Sequence, residues 1–113
     1  MDLAVEIVRF VDDWQPGIVA GEFVHADGYH HTIIEKAPVL SIENLDADSS
    51  YPRPGSARCV VLNRWRDTGE RDLVRISTAD PYGIESSEGL SEFVVLKTQI
   101  SMPSNDSYLR RSF

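Results

Sequence analysis

Asp27-Gly28 separates two runs of β-forming residues, 18–25 and 29–35, and no other feature constrains the fold of this chain more. A two-residue type I′ turn needs positive φ at both central positions, which Asp-Gly supplies, so the segment reads as a β-hairpin. In that register Ala26 faces Tyr29, His25 faces His30 and Val24 faces His31. The hairpin holds every histidine in the protein.

Further strands are expected at residues 3–11, 57–65, 72–78 and 91–97, with a short piece at 38–42 continuing the sheet after a bend at Ala37-Pro38. Residues 43–56 are rich in acids, serines, prolines and glycine, the chemistry of a long ordered loop. A second loop spans 79–90. No three-turn window places apolar residues at i, i+3, i+4 and i+7 without a breaker. The expected class is therefore all-β, a small antiparallel β-barrel or sandwich of six to seven short strands. Residues 1–100 form the domain and 101–113 a C-terminal tail. Tyr108 and Phe113 are the tail's candidate anchors, on the domain itself or on a neighbouring copy.

The 113 residues suffice for one core without disulfides or metal. Lys and Arg number 11 against 18 Asp and Glu, a formal net charge of −7. Such a balance disfavours phosphate backbones and favours solubility and basic partners. The single cysteine, Cys59, excludes an intrachain disulfide and a cysteine-based zinc cluster. It sits in the apolar run Ala57-Arg-Cys-Val-Val-Leu62, where a thiol behaves as a small buried hydrophobe. The N-terminus alternates charged and apolar residues and lacks a secretory pattern, and no run reaches membrane-spanning length. The expected location is cytoplasmic, with neither nucleic acid nor membrane as partner.

Candidate chemistry is sparse. His25 and His30, directly opposite in a two-residue hairpin, would lie on one face with Cβ atoms about 5 Å apart, close enough to share a divalent metal. Two ligands fall short of a structural zinc site, so any metal there is adventitious and no cofactor is expected. Asp46-Ala-Asp48 has the flavour of a calcium loop but lacks its glycine and distal glutamate. No nucleophile elbow, phosphate loop, dinucleotide fingerprint or His-Glu-x-x-His occurs. Trp14 reads as a cap on one end of the barrel. Asn63-Arg-Trp-Arg66 leads into a hairpin tip, so Trp65 flanked by Arg64 and Arg66 is the leading candidate binding surface. Gly21, inside a strand, marks a bulge or a close backbone approach.

The run Asp13-Trp-Gln-Pro-Gly-Ile-Val-Ala-Gly-Glu-Phe-Val24, with Ile34-Glu-Lys-Ala-Pro-Val39 and Tyr51-Pro-Arg-Pro-Gly55, resembles a group of small bacterial proteins of unknown function over most of residues 7–100. That resemblance implies a single all-β domain and attaches no activity. Pro-Gly followed by a β-run is similar to the small β-barrels of translation elongation factors, over too few residues to imply a GTPase partner. The expected function is a non-catalytic module that binds a protein partner or itself. The alternatives are an acidic immunity-type inhibitor of a basic toxin and a small metal-dependent hydrolase using the His25/His30 hairpin.

Overall fold

The computed structural model describes residues 1–102, so Tyr108 and Phe113 lie outside the described residues. The fold is all-β. Strands β1 (Asp2–Asp12), β2 (Ile18–Val24), β3 (His30–Lys36) and β4 (Arg53–Arg58) form one antiparallel sheet in the order β3-β2-β1-β4. Strands β5 (Val60–Arg66), β6 (Asp72–Ser77) and β7 (Glu92–Leu96) form a second, in the order β5-β6-β7. A two-residue strand β8 (Ile100–Ser101) pairs with β1, bringing the start of the expected tail into the domain. The two sheets do not close into a barrel among the described residues. Among the described residues, no helix is long and apolar enough to cross a membrane.

The chain passes between sheets at Cys59. The strand expected over residues 57–65 is divided there: the Cys59 N–H donates to the Met1 carbonyl at 2.8 Å, the last bond in the β1–β4 register, and from Val60 on the chain pairs with β6 instead. The thiol is 1 % exposed and packs in the shared core. Leu3, Val5 and Ile7 of β1 face Val74, Ile76, Phe93 and Val95 of the second sheet in one cluster. These residues alternate along their strands, as period-2 burial requires.

Residues 38–42 are not a strand. Ala37–Leu40 make one helical turn, α1, with proline in its first turn, where a missing N–H is harmless. Leu40 is buried, and a Cβ on Gly21 would sit 3.1 Å from its methyl group. On the other side, a Cβ on Gly55 of β4 would meet the Leu40 carbonyl at 2.7 Å and the Ile7 side chain at 2.6 Å. Two glycines thus open the face of the sheet for α1. The expected close approach at Gly21 is present, and a register irregularity in β1 lies beside it.

The β2–β3 and β5–β6 hairpins each have a three-residue loop. In β2–β3 the His25 N–H donates to the Tyr29 carbonyl (2.7 Å) and Gly28 N–H to the His25 carbonyl (2.8 Å), with Gly28 at φ +93°. In β5–β6 the Asp67 N–H donates to Arg71 (3.1 Å) and Glu70 N–H to Asp67 (3.0 Å), with Glu70 at φ +64°. This is a type I turn followed by a left-handed residue. It corrects the two-residue register: Val24 pairs with His30, and Phe23 with His31.

Candidate functional site

Strand β5 is an edge of the second sheet, and most of its residues are exposed. In register across the three strands, Trp65 lies beside Leu73 and Leu73 beside Leu96. Alternation puts this row on the side opposite Val74 and Val95, which belong to the core. Leu73 is nevertheless buried, outside the core cluster, while Trp65 remains 38 % exposed. The second sheet therefore has an apolar row on its outer face.

Two clefts adjoin this row. One, of about 220 Å³, is lined by Arg64, Trp65, Asp72, Leu73, Val74 and Lys97. The other, of about 260 Å³, is lined by Arg71, Asp72, Leu96, Lys97 and Thr98. Asp72 and Lys97 border both. Arg66 donates from Nε to Asp72 Oδ1 at 3.1 Å, so its charge is already matched. The Arg71 amide foremost, then Arg71 Nε at 2.8 Å and the Gly69 amide, hold the Asp67 carboxyl below its ordinary range. Among the described residues, Arg64 and Lys97 have no carboxylate within 4 Å. The structure thus brings Trp65 and Arg64 to one cleft at the β5 edge, although Arg64, in register with Val74, has the opposite phase to Trp65; it pairs Arg66 internally and adds Lys97, which sequence reasoning missed. The available signal was Leu73 and Leu96, apolar residues on the outward phase of strands whose inward phase is already apolar.

The histidine pair is not assembled. The three-residue loop shifts the register by one, and a one-residue slip moves a side chain to the opposite face. His30 is exposed opposite Val24, whereas His31 is 5 % exposed and enters an aromatic cluster. Its ring lies 5.2 Å from Phe23, 4.8 Å from Phe93, 4.9 Å from Tyr29 and 5.7 Å from His25. His31 Nδ1 donates to Glu88 Oε1 (3.2 Å), and the Tyr29 hydroxyl to Glu88 Oε2 (2.7 Å). Those two donors, Tyr29 foremost, hold the Glu88 carboxyl below its usual range, and Glu88 in turn pushes the Tyr29 phenol up. Next to Glu88, the Ser87 N–H donates to the Thr32 carbonyl at 2.7 Å, covering the outer edge of β3. Of the two histidines expected as ligands, His25 lies with His31 in a packed seam and His30 faces solvent.

Trp14 does not cap a barrel end. It is 67 % exposed and borders a cleft of about 260 Å³ with Phe10, Leu45, Asp13, Glu43 and Asp46. Glu43 there is paired with Arg53 at 2.7 Å, and Asp46 Oδ1 accepts the Asp48 N–H at 2.9 Å as a turn residue. Among the described residues, no three His, Cys, Asp or Glu side chains are grouped to hold a metal ion.

No protein-family model, curated protein or solved structure matches this chain.

Proposed function

We propose that this chain is a non-catalytic protein-binding domain, and that its Trp65 face takes an acidic segment carrying an apolar side chain. The observation behind this reading is the placement of Arg64 and Lys97 at the same cleft as Trp65, with no carboxylate among the described residues within 4 Å of either and the one carboxylate lining that cleft, Asp72, already held by Arg66. Tryptophan and arginine are the residue types that dominate interface energetics, because a large rigid ring and a planar five-donor fork both lose little entropy on contact. An apolar side chain entering beside Trp65 would cover Leu73 and Leu96, while carboxylates on either side meet Arg64 and Lys97 in charge-assisted hydrogen bonds.

The overall charge runs against an acidic partner, so the attraction is local to this cleft. A chain of net charge −7 repels acidic partners in general, so a locally cationic, aromatic patch selects where such a partner lands. The hydrolase alternative required His25 and His30 on one face, and the observed register removes that support.

The test is affinity capture with the full chain beside two variants, Trp65→Ala and Arg64→Glu/Lys97→Glu. A partner enriched on the parent chain, lost on both variants and retained by His30→Ala is expected. Equal recovery by all four proteins places binding elsewhere and defeats the assignment.

A further inference from the structure

We propose that His25 is an acid-released clasp holding the β2–β3 hairpin tip against the second sheet. The Val94 N–H of β7 donates to His25 Nε2 at 3.2 Å. An acceptor nitrogen carries a lone pair, so the ring proton resides on Nδ1, 3.1 Å from Asp27 Oδ1. The Asp27 N–H also lies 3.3 Å from Nδ1, but with the proton on that nitrogen this contact is not a hydrogen bond. The neutral ring therefore bridges two elements: its own loop through Nδ1 and the second sheet through Nε2.

A second proton on Nε2 sets donor against donor at Val94. The imidazolium keeps Asp27 and must give up Val94. The groups facing His25 do not change this outcome. Asp27 on the loop and Glu88 beyond Tyr29 attract a positive charge, and His31 on β3 and Arg71 from the β5–β6 connection oppose it. None of them supplies an acceptor at the Val94 amide. His25 is partly exposed, with a quarter of its side chain in solvent, so protons reach it.

Among the described residues the tip has further ties: Ala26 N–H to the Val94 carbonyl (2.8 Å), Arg71 Nη1 to the Ala26 carbonyl (3.0 Å), Gln99 Nε2 to the Val24 carbonyl (2.9 Å) and the Tyr29 hydroxyl to Glu88 (2.7 Å). Losing the His25 bond loosens the tip at Val94 and leaves the rest of the fold in place. Arg71 also lines the second cleft of the Trp65 face, so the clasp adjoins that surface without depending on what binds there.

The experiment is amide hydrogen exchange resolved by NMR on the full chain, corrected for intrinsic rates, as pH falls from about 7.5 to about 5, the span over which imidazoles charge. Protection of Val94 should fall about tenfold or more while the core amide of Ile76 keeps its protection. In His25→Gln, whose side-chain oxygen accepts at every pH, Val94 protection should not vary. A flat profile for Val94 in the parent chain, or the same fall in His25→Gln, overturns the proposal. Should that variant fail to fold, long-range proton–nitrogen spectra of the parent chain decide: a proton found on Nε2 at neutral pH overturns it, and a bare Nε2 supports it.

Discussion

Phe23 and His31 sit directly opposite each other across β2 and β3, their rings 5.2 Å apart at a 31° tilt. His31 is thereby a core residue with one polar tie, to Glu88, while its neighbour His30 faces water. His31→Ala would leave a void among Phe23, Phe93 and Tyr29. It is expected to cost roughly 2–3 kcal/mol, against within about 0.5 kcal/mol for His30→Ala. Denaturant unfolding of the two variants checks the contrast, and equal effects would contradict the three-residue register.

Thr78 is fully buried, and its hydroxyl donates to the Ile84 carbonyl at 2.7 Å. The Thr78 carbonyl accepts from Ile84 N–H in return, at 2.9 Å, and Thr78 N–H donates to Ser91. One residue thus fixes the loop 79–90 to the sheet. Thr78→Val keeps the shape and removes the donor, leaving a buried carbonyl short of a partner. The expected loss is about 1–3 kcal/mol by thermal or chemical unfolding.

Glu70 occupies the left-handed position of its hairpin at φ +64°, while Gly69 immediately precedes it. The matching position of the other hairpin is Gly28. A side chain at positive φ costs on the order of 1 kcal/mol, and glycine does not bear that cost. Glu70→Gly is expected to stabilise the protein by roughly 0.5–1 kcal/mol, and a lower melting temperature would count against the assigned turn.

Burial pushes the Cys59 thiol up to about 11, and the side chain is 1 % exposed. The thiolate is the reactive species, so the folded protein should leave a thiol-specific reagent unconsumed near neutral pH. One equivalent of reagent should react on unfolding in denaturant. Labelling of the native chain at the rate of a free thiol would place Cys59 outside the core.

Asp27, Asp67 and Glu88 are all held below their ordinary range by hydrogen bonds, to the Tyr29 amide, to Arg71, and to the Tyr29 hydroxyl respectively. Unfolded, these carboxyls titrate near about pH 4. Their folded values are lower, so the unfolded chain binds more protons between the two. The stability they add is complete above about pH 5 and is lost as pH falls through the folded values. The phenol of Tyr29 runs the other way: its folded value is raised, so its contribution is complete below about pH 10 and is lost as pH rises further. Melting temperature should fall as pH drops below about 5, with Glu88→Gln showing a shallower acid limb.

Local chemistry and period-2 alternation made most strands legible before the structure, because burial on one sheet face repeats every second residue. Residues 3–11, 18–25, 72–78 and 91–97 each correspond to an observed strand to within a residue or so at either end. Cys59 in its apolar run was legible for the same reason, and it is buried. Where alternation met a competing contact, the tertiary structure decided. Pro38 reads as strand by its neighbours, yet Gly21 and Gly55 leave a space that Leu40 fills from a helical turn.

The decisive case is the hairpin. Asp27-Gly28 by itself determined that the chain reverses there. It did not determine the register, because two- and three-residue loops both place glycine at positive φ. The choice fell to contacts far along the chain: the Ala26 amide reaches Val94, His25 accepts from Val94, and His31 packs between Phe23 and Phe93. Those contacts set one histidine in the core, one on the seam and one in water. The pairing of Trp65 with Arg64 was visible in the sequence from adjacency alone. Lys97 joins them only because β7 returns beside β6, which no local pattern encodes.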